Sequence, residues 1–388
     1  MNNEDRISNE QCTMNNVQWR KVKLGDCLTI GNGQDYKHLQ SGDIPVFGTG
    51  GVMTFVDAFL YDGETVCIGR KGTINKPMYY DGKIWTVDTL FYTHSFSNVF
   101  PKFIYYVFCN IDWNKYNEAT GVPSLSKETI YKIEISIPSL PVQRRIAAIL
   151  SSADKVIAST QKVIDKLKQI KQGMMETLLN EQCIMNNVQW RKVKLGECLR
   201  QKPDYGINAP AVPYDNHLPI YLRITDITED GYYSKNNIVS VASLDAFKYV
   251  MEDGDLVFAR TGASVGKTYL YNPKDGILVF AGFLIRIRTD NKVLLPEFFK
   301  YITQTPKYKN WIAANSMRTG QPGINGNEYE EFTFCIPYKN DIPDVAEQRR
   351  IAQILQGIDK KIETEINLLE KYKQIKKGLM EELLNNKK

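Results

Sequence analysis

The sequence predicts an α+β fold: two mostly-β domains, each followed by a long α-helix, with the two helices packed on each other. Three observations predict it. Gln143 to Asn180 returns 205 residues later as Gln348 to Asn385, sharing QRRIA, an Ile-Leu pair, Asp-Lys, KQIK and a closing LLN. Both copies carry one apolar stripe at helical spacing. The stretches before them are rich in short β-branched and aromatic runs set between turn residues.

A short entry segment opens each half. Asn9 to Leu28 recurs as Asn180 to Leu199, and only Thr13/Ile184 and Asp26/Glu197 differ. The chain is thus a doubled unit of entry segment, globular part and long helix. Each entry reads as a strand from Gln18 or Gln189, with Trp19 and Trp190 as core anchors and Leu-Gly-Asp/Glu as the turn that follows.

The first globular part runs to about Leu140. Its strand candidates are IPVF, TVCIG, MYY, IWTV and LFYTH, separated by turn signals at Gly31-Asn32-Gly33, Gly50-Gly51, Asp62-Gly63 and Asp81-Gly82. Residues 101–117 read as a helix opened by Pro101. The second part repeats the plan with PIYLRI, DLVFAR, TYLY, ILVF and FLIRIR, and with a helix over 296–314. Landmarks correspond between the parts. Gly69-Arg70-Lys71-Gly72 answers Ala259-Arg260-Thr261-Gly262, and Thr120-Gly121-Val122-Pro123 answers Thr319-Gly320-Gln321-Pro322. Ile137-Pro138 likewise answers Ile336-Pro337 before each helix. The frame is held and the filling changes, as in two readers of two different targets.

In the second helix the stripe runs through Ile351, Leu355, Ile358, Ile362, Ile366, Leu369, Tyr372, Ile375, Leu379 and Leu383. The first copy matches with Ile146, Leu150, Ala153, Ile157, Ile164, Leu167, Ile170, Met174 and Leu178. Each helix would be about 55–60 Å long at 1.5 Å per residue. A helix of that length with one apolar stripe needs a partner, and the near-copy supplies it, leaving a solvated Lys/Glu outer face.

Composition bounds the function. The chain has 388 residues, enough for two or more domains with their own cores. No apolar run is long enough to span a membrane, and the polar N-terminus has no signal-peptide core. Seven scattered cysteines without a C-x-x-C pair fit reduced thiols in a cytoplasmic protein. Three distant histidines argue against a metal site. The net charge of +5 is a weak pointer to a polyanion. Residues 20–140 hold 12 basic and 12 acidic side chains and residues 191–344 hold 19 and 18, so the surplus lies on the helices. A DNA-binding face on the globular parts must come from one-sided placement of charge.

Catalytic motifs are imitated but not completed. Gly262-Ala-Ser-Val-Gly266-Lys267-Thr268 has three residues between its glycines where a phosphate-binding P-loop needs four, and strand-like segments flank it on both sides. Phe47-Gly-Thr-Gly-Gly51 lacks the following helix and distal carboxylate of a methyltransferase loop and reads as a tight turn. Asn272-Pro273-Lys274-Asp275 lacks the second proline and the aromatic of an adenine-methyltransferase motif. No catalytic residue and no metal ligand is assigned.

Basic and polar residues on Gly-rich loops remain. Arg70, Lys71, Thr73, Asn75 and Lys76 in the first part, and Arg260, Thr261, Ser264, Lys267 and Arg318 in the second, can donate to phosphates or guanine edges; Gln34, Asn75, Gln321, Asn325 and Asn327 are of the type that pairs with adenine. Singly, each reads first as a solvated loop residue; as groups at corresponding places in both halves, they point to DNA. Arg144-Arg145 and Arg349-Arg350 open the helices at the end where cations oppose the macrodipole, which a carboxylate or partner protein would offset.

With these residues in hand, the chain resembles the specificity subunit of type I restriction-modification systems over nearly its whole length. The resemblance is carried by the W-R-K-V-K-L-G-[DE] entries, IPVFGTGG, Gly63-Glu64 to Gly72, Arg260-Thr-Gly-Ala-Ser-Val-Gly266, Thr-Gly-x-Pro before Ile-Pro, and Pro141-Val142-Gln143-Arg144-Arg145-Ile146. The second helix departs from the last motif, with Val345-Ala346-Glu347 before Gln348 and Pro343 further back. No single motif is specific; their order, occurring twice, is. The resemblance implies two target-recognition domains held apart by an antiparallel coiled-coil spacer, each reading half of a split site in double-stranded DNA. It divides the chain into a tail (1–13), recognition domain 1 (14–142), spacer helix 1 (143–184), recognition domain 2 (185–347) and spacer helix 2 (348–388). It also implies that adenine methyltransferase subunits and a restriction/translocase subunit dock on the scaffold, with S-adenosylmethionine, ATP and Mg on those partners alone. Two rivals belong to other classes: a fused methyltransferase, for which there is no room, and a coiled-coil adaptor binding protein or carbohydrate ligands.

Overall fold

The computed structural model describes residues 18–179, 189–317 and 320–384. The chain forms two compact units that do not follow the sequence in blocks. One comprises residues up to Val163 together with Glu365 onward, and the other comprises Ile164–Thr364. Each unit therefore holds one β-rich domain and one half of each long helix.

In the first unit, β1 (Arg20–Lys23) pairs antiparallel with β8 (Glu134–Ile137). A six-stranded sheet follows, in the order β2 (Thr29–Asn32), β7 (Leu90–His94), β5 (Tyr61–Gly69), β6 (Met78–Thr86), β3 (Ser41–Gly48), β4 (Gly51–Val56). Only β3 and β6 run parallel. Helix α1 (Pro101–Asn110) lies against β5 and β6, burying Phe103, Ile104, Val107 and Phe108. Helix α2 (Lys127–Lys132) is capped by Ser126, whose side chain accepts the Thr129 N–H. It leads into β8 and then into α3 (Leu140–Leu178).

The second unit repeats the frame. Strand β9 (Gln189–Lys194) pairs with β18 (Thr333–Lys339), and short β19 (Ile342–Pro343) extends that sheet. The register is the same in both units: Arg20 faces Ile137 and Lys23 faces Glu134, while Arg191 faces Ile336 and Lys194 faces Thr333. Two four-stranded sheets make up the rest. One has the order β10 (Asp204–Tyr205), β17 (Leu284–Ile287), β14 (Leu256–Ala259), β15 (Thr268–Leu270). The other has the order β11 (Ala211–Pro213), β13 (Val239–Val241), β12 (Ile220–Leu222), β16 (Leu278–Phe280). Helices α4 (Pro296–Ile302), α5 (Pro306–Asn315) and α6 (Gly326–Glu330) precede β18, and α7 (Val345–Leu384) closes the chain.

The long helices belong to the β-domain cores as well as to each other. Ile146, Ala147 and Leu150 of α3 and Leu383 and Leu384 of α7 are buried with Leu24, Phe103 and Ile137 in the first unit. In the second unit, Met175 of α3 and Ile351, Ala352 and Leu355 of α7 are buried with Leu195, Phe298 and Ile336. The glutamine that opens each helical repeat is the anchor. Gln143 is fully buried, accepts the Phe100 N–H at 2.8 Å and donates to Pro138 O at 2.9 Å. Gln348 is equally buried, accepts the Leu295 N–H at 2.9 Å and donates to Val293 O at 2.9 Å. A buried amide left without those partners would cost about 1–3 kcal/mol.

Several expectations are corrected. The helix expected over 101–117 stops at Asn110, because Trp113 turns back and donates its indole N–H to Phe108 O at 2.8 Å. The helix expected over 296–314 is broken into two, since Pro306 lacks an N–H and holds Thr305 extended. Asp62-Gly63 and Asp81-Gly82 are not turns: they lie inside β5 and β6, where Gly63 and Gly82 face each other at φ of +131° and +128°. Two cross-strand glycines permit that distortion without breaking the ladder. The helices open at Leu140 and Val345 rather than at the glutamines. Within the apolar stripe, Ile170, Ile366 and Ile375 are exposed, while Met175 is buried in place of Met174. The tail and the first part of each entry repeat lie outside the described residues.

Candidate nucleic-acid interface

Both β domains carry the same loop pair. In the first unit the chain leaves β5 at Gly69, passes through residues 70–77 and returns as β6. In the second it leaves β14 at Ala259, passes through 260–267 and returns as β15. The second loop of each pair carries Gly121-Val122-Pro123 in the first unit and Gly320-Gln321-Pro322 in the second. Leu125 N donates to Arg70 O at 2.9 Å and Gly72 N donates to Pro123 O at 2.8 Å. Their counterparts are Ile324 N to Arg260 O at 2.9 Å and Gly262 N to Pro322 O at 2.9 Å. Between these bonds, Lys71 is bridged to Ser124 and Thr261 to Gly323. Gly72 and Gly262 have φ of +87° and +69°, which is why a glycine stands at that corner in both. The frame is therefore one backbone structure built twice from different side chains.

The arginine that opens each loop lies over an aromatic ring. The Arg70 guanidinium sits 5.8 Å from the Phe91 centroid and that of Arg260 sits 5.0 Å from Tyr205. Tyr205 in turn accepts the Gly326 N–H at 3.0 Å, tying the shelf to the second loop. Arg260 Nε is buried and finds no hydrogen-bond partner among the described residues. A stacked, half-buried guanidinium has lost much of its rotamer freedom and presents its fork in a fixed direction, as bidentate contact with guanine O6/N7 requires. The Gln321 carboxamide crosses directly over Gly262: a Cβ there would lie 2.8 Å from Gln321 Nε2.

The other expected residues divide by position. Lys71, Thr73, Asn75 and Lys76 are exposed on the first loop, which buried Ile74 pins down. Thr261 and Ser264 are half-exposed on the second. Lys267 is held elsewhere, 2.7 Å from Glu229 in a cavity it shares with Gln304 and Tyr308. Asn325 accepts the Glu328 N–H at 2.9 Å, and Glu328 accepts that of Asn325, so it caps α6 as Ser126 caps α2. Arg318 lies outside the described residues. Arg144 is exposed over the Phe100 ring, Arg145 is half-buried, Arg349 is exposed and Arg350 pairs with Glu347 at 2.6 Å. Tyr205 and Phe91 escaped the sequence reading, since nothing in periodicity marks a strand aromatic as the shelf of a distant arginine.

Among the described residues, no group of His, Cys, Asp or Glu is placed to hold a metal, and no helix is long and apolar enough to cross a membrane.

Comparison with known proteins agrees with this duplicated plan. The family described as the type I restriction modification DNA specificity domain matches residues 16–169 and 187–374. The MjaVIII type I restriction enzyme specificity subunit of Methanocaldococcus jannaschii is 23% identical over 352 residues, 84% of this chain and 78% of its own length. The StySPI specificity subunit of Salmonella potsdam is 24% identical over 256 residues, 61% of this chain and 53% of its own. In three dimensions, the type I restriction-modification S subunit from M. genitalium superposes with a TM-score of 0.67 at 16% identity, covering 96% of this chain and 98% of that one. A chain from a structure of type I restriction-modification complex assembly gives 0.52 at 17% identity, covering 95% and 98%.

Proposed function

The chain belongs to the type I restriction-modification DNA specificity family, and from that membership we propose that each β domain reads one half of a bipartite DNA site. As a specificity subunit it binds DNA and assembles with other subunits of its system, and it is not itself an enzyme. The observation that supports the half-site reading is the loop pair. Two domains hold one backbone frame, with an arginine stacked at the same corner, and differ in the side chains the frame presents. A fixed frame with variable filling is what independent readout of two short sequences requires.

In this reading, adenine methyltransferase subunits and a restriction/translocase subunit supply the chemistry in the cytoplasm, with S-adenosylmethionine, ATP and Mg bound on them. Exposed Arg144 and Arg349 at the helix openings are offered to those partners. The matched register of β1/β8 and β9/β18 supports a modular use of the near-identical entries, in which one domain replaces another without disturbing its frame.

The test is to sequence methylated adenines in a host carrying the partner subunits, with and without this chain. A two-part motif with a fixed gap that depends on the chain is expected. Methylation that is absent, or indifferent to the chain, would reject the reading in favour of an adaptor.

A further inference from the structure

Resting on the half-site reading above, we infer that the residue between Gly and Pro of the Thr-Gly-x-Pro loop, Val122 in one domain and Gln321 in the other, determines base identity in its half-site. The two positions are equivalent by bonding and not only by sequence. Each is followed by a proline whose carbonyl accepts from the corner glycine, Gly72 or Gly262, and then by a residue bridged to position 71 or 261. Their backbones are thus held at the same point relative to the loop arginine, and the side chain is what differs.

Val122 is 67% exposed. An isolated exposed valine is unremarkable on most surfaces, but this one stands where the other domain places a carboxamide, on a loop whose neighbours are basic and polar. The Gln321 carboxamide lies across Gly262, two residues from stacked Arg260. Opposite base edges the two side chains have different complements. A glutamine carboxamide both donates and accepts, matching N7 and N6 of adenine, whereas valine offers methyl groups alone, matching the C5-methyl of thymine. The arginines are common to both domains and cannot distinguish their targets; the neighbouring position can.

The experiment uses the full chain assembled with its modification subunits. The variants are Val122→Gln and Gln321→Val, both at exposed loop residues outside the hydrophobic core clusters. Methylated-adenine sequencing should show one position of one half-site changed in each variant, with the gap and the other half retained. The position moved by Val122→Gln should lie in the half-site that Arg70→Ala disturbs, and that moved by Gln321→Val in the half disturbed by Arg260→Ala. Binding of the complex to synthetic duplexes supplies a second readout. Replacing thymine by uracil at the assigned position removes only the methyl group, and should weaken the wild type at least about twofold while leaving Val122→Gln indifferent. Loss of the Gln321–adenine pairing should cost at least about fivefold in selectivity at that position. Unchanged motifs in both variants, or affinity lowered equally for every duplex in the panel, would overturn the inference. If the wild-type complex itself writes no two-part motif, it is the half-site reading that fails.

Discussion

Lys376 Nζ lies 2.5 Å from Asp154 Oδ1, joining the end of α7 to the beginning of α3 in the first unit. The second unit holds the same pair with the helices exchanged: Lys171 of α3 lies 2.7 Å from Asp359 of α7. Each aspartate also accepts a tyrosine O–H, Tyr106 at 2.7 Å and Tyr301 at 2.8 Å. Each lysine lies over that same ring, at 5.6 and 5.5 Å. Antiparallel packing of two near-copies produces this exchange, because Asp and Lys stand 17 residues apart in both repeats.

The two pairs differ in burial, and so should their worth. Side-chain exposure is 12% and 11% for Lys171 and Asp359 but 20% and 35% for Lys376 and Asp154. Asp359→Ala removes the carboxylate shared by Lys171 and Lys300 in a largely enclosed site and should cost about 3–5 kcal/mol. Asp154→Ala should cost about 1–2 kcal/mol, since water reaches its lysine. Chemical denaturation of the two variants checks the order; equal costs would show that burial does not set the value of these pairs.

Lys300 adds a pH dependence peculiar to the second unit. Its side chain is 16% exposed and lies 3.9 Å from Asp359, with Lys171, Glu363 and Tyr232 around it. Burial pushes its pKa below the ordinary lysine value, with Lys171 reinforcing the shift and Asp359 and Glu363 opposing it. A lowered folded-state pKa means the unfolded chain holds the proton more tightly, so stability rises with pH between the lowered and the ordinary value. Lys300→Met removes a charge whose carboxylate already has Lys171. It should stabilise the fold by about 1–2 kcal/mol at neutral pH, with the gain shrinking as pH approaches the ordinary lysine range. Thermal melting across that range measures both; a destabilised variant would show that Lys300 is needed to balance Asp359.

Arg260→Ala separates base reading from phosphate binding. A bidentate guanine contact predicts a loss of about 1–3 kcal/mol confined to one position of one half-site. A phosphate contact predicts uniform weakening and a salt slope reduced by about one. Titration of the assembled complex with cognate and substituted duplexes at several salt concentrations distinguishes them.

Much of this architecture was legible because a doubled chain annotates itself. The repeated QRRIA helices, the entry strands and the corresponding Gly-rich loops could be aligned within one sequence, and the structure gives the paired strands the same register. Less legible was what covers each surface. Periodicity marks Ile170 and Ile375 as apolar but not that they are exposed, since it reports a stripe and not the neighbours that bury it. For the same reason Gln143 and Gln348 read as polar helix starts, although both are buried anchors. In the interface the arginines were identifiable by residue type and correspondence. Lys267, equally basic, is committed to Glu229, a partner 38 residues distant that no local pattern reveals. The rings under Arg70 and Arg260 lie on non-equivalent strands, β7 and β10, so correspondence between the halves could not point to them.

The central claim, that two independent readers share one frame, is tested most directly by exchanging residues 29–140 for the corresponding part of a relative with a different target. Both ends of that segment join the frame, at the end of the entry and at the first residue of α3. Methylated-adenine sequencing with the partner subunits present should then report a new sequence in one half-site, with the other half and the gap unchanged. A motif altered in both halves, or in neither, would contradict it.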